Sequence, residues 1–277
     1  MSKEIVVQKH PHRPIALRFE DVAFSYGTIP VLEDVTFHIH EGEFIALVGP
    51  NGAGKTTVLK LILGLERPTR GTIALFDGTP GTAQDRIGYV PQHVLFDPTF
   101  PISVEEVVRM GRLRPLSRRY SEDDNRAVAL AMEQTDITDL NTRPYAALSG
   151  GQRRRVLVAR ALAAQMMTNG PSFLILDEPT ANMDAESEMR LFKTLGSLKG
   201  KTTILIVTHD TGFVSSLTDR VLCIGDRSAS GRAHTIVRHL AEPAENAPPE
   251  LFGGQAYKVL HDVELPESRC CEDKEHL

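Results

Sequence analysis

The stretch that most constrains the fold is GPNGAGKT, residues 49–56, which lies between a strand-like run, EFIALV, and a helical run, KTTVLKLIL. Glycines at this spacing let successive backbone amides point inward at a phosphate, and the following helix adds the positive end of its dipole. Lys55 would contact the β- and γ-phosphates, and Thr56 would ligate magnesium. A turn that only caps a helix does not need this lysine and threonine, so the pattern predicts a nucleotide-binding P-loop.

The composition is that of a globular protein with a sizeable core, because 41% of the 277 residues are hydrophobic. The formal net charge of −5 disfavours nucleic acid as a partner, although the basic cluster Arg153, Arg154 and Arg155 could make local contacts. The sequence contains neither a signal-peptide core nor an apolar run of about 18 residues that would span a membrane. Its three cysteines form no plausible disulfide framework. We therefore expect a cytoplasmic protein.

Short apolar runs alternate with helical patterns along the chain. IALRFEDVAF, VTFHIH and EFIALVG predict an antiparallel strand group that leads into an α/β core. The later runs IGYV, FLILD, TILIVTH and RVLCIGD suit a parallel sheet that is covered on both faces, and a helix is predicted over 185–198. The predicted divisions are an N-terminal extension at 1–15, a core at 16–92 and 153–232, a helical insertion at 93–152 and a C-terminal tail at 233–277.

The run FLILDEP, residues 173–179, is an apolar strand that ends in two acids. This pattern places Asp177 and Glu178 at the carboxyl edge of the sheet, where ligands bind in open α/β folds. Asp177 can hold magnesium, and Glu178 can orient or deprotonate a water for in-line attack on a γ-phosphate. A simple polar turn would look the same in isolation, but the P-loop favours the catalytic interpretation.

LSGGQ, residues 148–152, introduces the helical run RRRVLVARALAA. Its Ser-x-x-Gln spacing is a capping box, which explains Ser149 and Gln152. It does not explain the two glycines, which expose backbone amides at a helix N-terminus and predict a second anion-binding surface.

In this order, GPNGAGKT, LSGGQ and FLILDEP resemble the motifs of the ATP-binding cassette (ABC) family, and the resemblance covers about residues 16–226. It implies an α/β fold with a P-loop NTPase (RecA-like) core, an N-terminal antiparallel β group and an inserted helical subdomain. It also implies ATP hydrolysis with Mg²⁺. The implied ATP-binding residues are Tyr26, Gly49, Pro50, Asn51, Gly52, Ala53, Gly54, Lys55, Thr56 and Thr57.

The resemblance also assigns roles outside the P-loop. Tyr26 in FSYG would stack on adenine, Gln92 in VPQ would meet magnesium and the attacking water, and His209 would contact the γ-phosphate. Asp184 closes ANMD, which stands where the family's D-loop more often contains SALD. The implied catalytic residues are Lys55, Gln92, Glu178 and His209, and the implied magnesium ligands are Thr56, Gln92 and Asp177.

The family binds ATP between two cassettes arranged head to tail. Each ATP would lie between the P-loop of one subunit and the signature motif of the other, so that ATP closes the dimer and hydrolysis releases it. Because the chain contains one set of motifs, the expected partner is a second copy of itself. The residues expected to act in trans are Ser149, Gly150, Gly151 and Gln152.

The stretch FDPTFPISVEEVVRMGRL, residues 96–113, contains no catalytic-looking group. Ser103 and Glu106 predict a capping box at a helix start, and Val104, Val107 and Val108 predict one apolar face. The sequence pattern DxxFPISVxEVVxMGR is similar to that of the ABC importers of divalent transition metals, zinc or manganese. In transporter members this region contacts the membrane permease, so the resemblance implies permease contacts at 93–113.

The resemblance thus implies an ATPase subunit at the inner face of the membrane, held there by a permease and served indirectly by an extracytoplasmic metal-binding protein. Iron-chelate or vitamin B12 importers and a soluble ABC ATPase of cofactor assembly are the alternatives. The tail also contains possible zinc ligands, but their spacing matches no closed site, and a solvated, partly disordered tail is favoured. These residues are His234, His239, His261, Cys270, Cys271 and His276.

Overall fold

The structure is a computed structural model that describes residues 13–113, 119–166, 172–181, 183–209, 214–215, 217–227, 233–243 and 256–264. Within the described residues, one sheet contains eleven strands. The strands are β1 Ile15–Tyr26, β2 Ile29–His40, β3 Phe44–Val48, β4 Arg70–Leu75, β5 Ile87–Val90, β6 Phe173–Asp177, β7 Thr203–Thr208, β8 Val214–Ser215, β9 Arg220–Arg227, β10 His234–Pro243 and β11 Ala256–Glu264. The helices are α1 Lys55–Ile62, α2 Val104–Arg109, α3 Glu122–Gln134, α4 Gly150–Gln165 and α5 Ala185–Leu198.

The sheet joins an antiparallel group to a parallel core. Its main order is β4-β1-β2-β10-β9-β3-β7-β6-β5. β1 pairs antiparallel with β2 and β4, whereas β9, β3, β7, β6 and β5 run parallel to one another. The predicted α/β class, with an N-terminal antiparallel group, is therefore confirmed.

The parallel strands are buried on both faces, as their continuous apolar sequences predict. In β6, Phe173 and Ile175 pack with α1 and the antiparallel strands, whereas Leu174 and Leu176 pack with the helices of the other layer. Successive side chains of a strand point to opposite faces, so this one strand contributes to two apolar clusters. The carboxyl ends of the parallel strands are thereby fixed relative to the helices on both sides.

The stretch between β5 and α4 contains α2 and α3 and no strand among its described residues, as the helical insertion predicts. The serine caps explain where these helices begin. Ser103, Ser121 and Ser149 each accept a hydrogen bond from the backbone amide three residues on and form a capping box. Predicted caps at α2 and α4 are therefore confirmed, while the exact domain limits stay a prediction.

The predicted C-terminal tail differs from the structure in two stretches. β10 pairs antiparallel with β9, and β11 pairs with β10 and β8. The expectation of an appended tail without regular structure from 233 onward is therefore wrong for 234–243 and 256–264, which are strands. The run HTIVRHL contains β-branched residues that suit a strand, and the open edge of β9 gives it a pairing partner. Cys270, Cys271 and His276 lie outside the described residues.

In the part of the chain that the structure describes, no helix has both the length and the apolar character needed to cross a membrane. The longest helix, α4, has 16 residues and carries arginines in its first turns.

Candidate nucleotide-binding site

The P-loop connects the end of β3 to the start of α1, as the sequence predicts. Gly54 adopts a left-handed conformation with φ 103° at the helix N-cap, where a side chain would be strained. A Cβ there would also approach the Val31 side chain to 3.2 Å. The loop therefore reaches the helix along a path that favours glycine, and Lys55 and Thr56 occupy the first helical turn.

The loop forms one wall of a pocket of about 320 Å³. Residues from five chain segments line it: the end of β1, the start of β2, the P-loop with α1, the loop after β5 and the end of β6. The lining residues are Tyr26, Val31, Asn51, Gly52, Gly54, Lys55, Thr56, Thr57, Gln92, Asp177 and Glu178. All but Val31 are residues that the sequence predicts for the site, while Gly49, Pro50 and Ala53 belong to the loop but do not line the pocket.

Lys55 is held against its own loop. Its Nζ donates hydrogen bonds to the carbonyl oxygens of Gly49 at 2.7 Å and Pro50 at 3.0 Å. Burial lowers the pKa of Lys55, while the nearby Glu178 and Asp177 carboxylates oppose that shift. The ammonium group therefore lies between the loop and the acids at the end of β6.

Asp177 lies at the carboxyl end of β6, and the Tyr89 side chain on β5 hydrogen-bonds to it. Burial and then the charge of Glu178 raise the pKa of Asp177. Burial and then the charge of Asp177 raise the pKa of Tyr89 to about 12. Tyr89 is not among the residues that the sequence predicts for the site, and its only signal is its place three residues before Gln92.

The donor set fits a magnesium ion. Thr56, Gln92 and Asp177 line the same pocket and offer a hydroxyl, an amide and a carboxylate oxygen. Mg²⁺ prefers oxygen ligands, and in nucleotide sites it uses few protein groups together with phosphate oxygens.

Glu178 is buried and is held from the neighbouring strand. Its Oε1 lies 2.8 Å from His209 Nδ1, and its Oε2 accepts a hydrogen bond from the Thr208 hydroxyl at 3.1 Å. Its backbone amide donates to the carbonyl oxygen of Val207 at 2.8 Å. The structure therefore brings Glu178 and His209 together at the edge of the pocket.

Tyr26 ends β1 with a partly exposed ring. The ring packs edge-on against Phe24, with centroids 4.8 Å apart, and its hydroxyl accepts a hydrogen bond from Lys60 Nζ at 3.1 Å. These contacts fix the ring at the pocket while leaving part of it open, as stacking on a planar ligand requires.

The signature motif does not contribute to this pocket. Ser149 caps α4, and the backbone amide of Gln152 donates to its hydroxyl at 3.3 Å. A Cβ at Gly151 would lie 2.2 Å from Ser187 Oγ, so the α4 terminus packs closely on the start of α5. Asp184 caps α5 by accepting hydrogen bonds from the Ser187 amide and hydroxyl, both at 2.8 Å.

Arg154 is the main feature of the site that the sequence does not predict, because in the sequence it stands out only as part of the basic cluster 153–155. Its guanidinium is buried and donates to three backbone carbonyl oxygens, those of Pro91, Gln92 and Glu178. Burial lowers the pKa of Arg154, and Asp177, Tyr145 and Glu178 oppose that shift. No linear motif signals these contacts, since the acceptors are main-chain atoms far away in sequence.

Proteins of similar sequence include ATP-binding proteins of metal transport systems. A probable metal transport system ATP-binding protein of Chlamydia pneumoniae is 42% identical over 75% of this chain and 85% of its own length. The zinc uptake system ATP-binding protein ZurA of Listeria innocua is 36% identical over 82% of this chain and 89% of its own length.

Solved structures with the same fold are ABC transporter cassettes. A metal-chelate type ABC transporter in an inward-facing conformation superposes with a TM-score of 0.68 at 24% identity, covering 92% of this chain and 99% of that one. A bacterial ABC transporter cassette solved as a dimer gives 0.61 at 26% identity, with 75% and 94% covered. The family model for ABC transporters matches residues 32–181. The resemblance seen in the sequence is thus confirmed, and the chain belongs to the ABC transporter family.

Proposed function

We propose that this chain hydrolyses MgATP and that it is the ATPase subunit of a zinc importer. The observation that carries the catalytic part is that the P-loop, Gln92, Asp177 and Glu178 line the same pocket. In an ABC family member, this combination supplies phosphate binding, magnesium ligands and a general base in one place. ATP is the substrate and Mg²⁺ the cofactor.

The residues at the pocket have different proposed roles in ATP hydrolysis. Lys55 exchanges its two carbonyl acceptors for the β- and γ-phosphates, and the P-loop amides hold the rest of the phosphate chain. Thr56, Gln92 and Asp177 hold Mg²⁺, which when bound neutralises charge on the phosphate oxygens. Glu178 accepts the proton of the attacking water, and His209 orients that carboxylate, from which its Nδ1 lies 2.8 Å away. His209 is also the proposed contact of the γ-phosphate.

The proposed active unit is a homodimer. The signature residues 149–152 do not line their own chain's pocket. They are therefore proposed to bind the γ-phosphate of an ATP molecule that lies in the pocket of a second copy. A related cassette has been solved as a dimer, which supports this arrangement. ATP would favour the closed dimer because only that state contacts the nucleotide from both sides. Asp184, which caps α5, is the proposed D-loop residue near the dimer contact.

The proposed permease contact is the docking patch, which we define as Phe100, Met110 and Leu113. These side chains are exposed, although they are large and apolar, and all three belong to the 93–113 region. Val107, by contrast, is only 6% exposed and packs in the core with Val104 and Val108. The apolar face of α2 therefore faces inward, and Val107 is unsuitable as a probe of docking. Through the permease, the subunit would lie at the inner face of the membrane.

Zinc is the proposed cargo because relatives that are 36% and 42% identical include the ATP-binding proteins of a zinc uptake system and of a metal transport system. Transport measurements distinguish zinc import from the alternatives. These are manganese import, import of an iron chelate or vitamin B12, and a role as a soluble ATPase of cofactor assembly. An extracytoplasmic binding protein would deliver the metal to the permease.

The enzymatic part is tested with the purified full-length chain. Phosphate release from ATP should require Mg²⁺ and should be lost in Lys55→Ala. Light scattering of Glu178→Gln should show a mass shift from monomer to dimer on adding MgATP, but not MgADP. Absence of phosphate release by the unsubstituted chain, at a protein concentration that allows dimers, would contradict the proposal.

A further inference from the structure

One buried arginine joins the main chains of two segments that carry candidate catalytic residues. Arg154 lies on α4, two residues after the signature motif, and is 7% exposed. Its Nη1 donates to the Pro91 carbonyl oxygen at 2.7 Å, and its Nη2 donates to those of Gln92 at 3.3 Å and Glu178 at 2.9 Å. The loop after β5 and the end of β6 are therefore tied to one guanidinium.

The geometry suits arginine specifically. A guanidinium is planar and holds its donors in a fixed fork, so several acceptors bound to it take fixed positions relative to one another. Among the described residues, the Arg154 guanidinium donates to main-chain carbonyl oxygens and forms no ion pair with a carboxylate. The adjacent Arg153 adds a second contact, because its guanidinium lies 4.7 Å from the ring centroid of Phe96 in the same loop.

We propose that Arg154 is a positioning residue, which holds the main chain at Gln92 and Glu178 in the relative placement that ATP hydrolysis needs. The inference rests on the proposed function. Arg154 also connects α4 directly to the catalytic segments. A displacement of α4 when Ser149 binds nucleotide in the dimer would therefore move the main chain at Gln92 and Glu178 as well. Arg154 touches neither nucleotide nor water in this account; it acts through the two backbone segments.

The next residue offers a matched control. Arg155 is 6% exposed and also binds main-chain carbonyls, with Nη1 2.5 Å from the Asp136 oxygen and 3.4 Å from that of Thr135. Those acceptors follow α3 and do not line the nucleotide pocket. Nη1 of Arg155 also lies 3.5 Å from Asp136 Oδ2, so this arginine has a carboxylate partner in addition. The two arginines thus share a helix, burial and main-chain acceptors, and only the acceptors of Arg154 belong to catalytic segments.

The test compares Arg154→Gln, Arg154→Lys and Arg155→Gln with the unsubstituted full-length chain. Three quantities are measured for each: kcat and KM for MgATP, affinity for a fluorescent ATP analogue, and Tm. We expect Arg154→Gln to lower kcat by about 10- to 100-fold, since small misplacements of catalytic groups have effects of this size, with KM and analogue affinity within about twofold. Arg154→Lys should have a higher kcat than Arg154→Gln, because the ammonium group keeps the positive charge. Its kcat should stay below that of the unsubstituted chain, because an ammonium group lacks the planar fork of donors.

Arg155→Gln should lower Tm at least as much as Arg154→Gln while changing kcat per folded molecule by less than about twofold. A fall in Tm without a fall in kcat for Arg154→Gln would make Arg154 merely structural and would overturn the inference. A rise in KM with unchanged kcat would overturn it as well. Should Arg154→Gln fail to fold, Arg154→Lys decides between the same outcomes.

The inference and the proposed function fail in different ways. No hydrolysis by the unsubstituted chain would overturn the proposed function and this inference with it. Hydrolysis by both the unsubstituted chain and Arg154→Gln at equal kcat would overturn this inference alone.

Discussion

Nδ1 of His209 lies 2.8 Å from Oε1 of Glu178, and both residues follow the ends of neighbouring parallel strands. The other carboxylate oxygen of Glu178 accepts a hydrogen bond from the Thr208 hydroxyl. The orientation of the candidate general base is therefore set from β7, although Glu178 itself follows β6. This division explains how a residue in a loop can be held for catalysis by a rigid sheet.

Glu178→Gln should separate binding from hydrolysis. The amide keeps the size of the side chain but cannot accept the proton of the attacking water, so kcat should fall by about 10²- to 10⁴-fold. Affinity for MgATP should stay within about threefold, because Lys55 and the P-loop amides supply the phosphate contacts. Glu133→Gln, at an exposed position on α3, is the control and should leave both values unchanged. Equal losses of affinity and rate would argue against a base.

His209→Ala tests whether the histidine acts through Glu178. We expect kcat to fall by about tenfold or more, because one partner of the carboxylate is lost. In the double variant with Glu178→Gln, the loss should be close to that of Glu178→Gln alone, since residues in one hydrogen-bonded unit do not act additively. Single-turnover phosphate release measures both effects. Fully additive losses would show that His209 works independently of Glu178.

A buried ion pair fixes the helical insertion. Arg112 Nε donates to Asp124 Oδ1 at 2.8 Å, and Nη1 of the same arginine donates to the Ala163 carbonyl oxygen at 3.1 Å. Asp124→Asn leaves the Arg112 charge buried without its partner, so the free energy of unfolding at neutral pH should fall by about 3 kcal/mol. Urea unfolding measures this value. Asp123→Asn, on the exposed side of α3, should change it by less than about 0.5 kcal/mol.

The same pair predicts a pH dependence. Hydrogen bonds from the Ser121 amide and hydroxyl, and then Arg112, hold the pKa of Asp124 at about 2, below its ordinary value of 3.8. The folded state therefore binds its proton less readily than the unfolded state, and the stabilisation is present above about pH 4 and is lost as pH falls toward 2. The stability difference between the unsubstituted chain and Asp124→Asn should shrink over that range. A difference that stays constant would contradict the pKa assignment.

The docking patch predicts a separation of transport from basal hydrolysis. Met110→Glu and Phe100→Glu place a charge at side chains that are 43% and 59% exposed, so the isolated subunit should still fold. Co-purification with the permease and the stimulation of hydrolysis by the permease should fall by about tenfold or more, as charges in apolar interfaces cost several kcal/mol. Leu130→Glu, at a 51% exposed position on α3, is the matched control. If Leu130→Glu lowered co-purification and stimulation by the same factor, the docking patch would not be the specific site of permease contact.

The sequence was informative where chemistry depends on residues close together in the chain. The P-loop, the capped start of α4 and the acids that end β6 follow from residue type and spacing, and the structure places the P-loop and these acids in one pocket. Parallel topology then explains why Gln92, which follows β5, lines the same pocket as Asp177, which ends β6, since these strands are neighbours. Family resemblance supplied the roles that spacing alone left open.

The remaining features depend on contacts between distant segments. Arg154 binds carbonyl oxygens, and Tyr89 reaches Asp177 across adjacent strands, so neither contact has a sequence signature. Val107 illustrates a further difficulty, because an apolar helical face indicates burial without identifying what covers it. β10 was missed because its short apolar run stands in a polar context and becomes a strand through pairing with β9.

The most direct test of the account is uptake of radioactive zinc by cells in which this chain is the only copy of the subunit. The unsubstituted chain should support zinc uptake, and Glu178→Gln, produced at the same level, should reduce it to the value of cells that lack the chain. Manganese and iron uptake, measured in parallel, should change far less. Equal zinc uptake with the unsubstituted chain, with Glu178→Gln and without the chain would contradict the account.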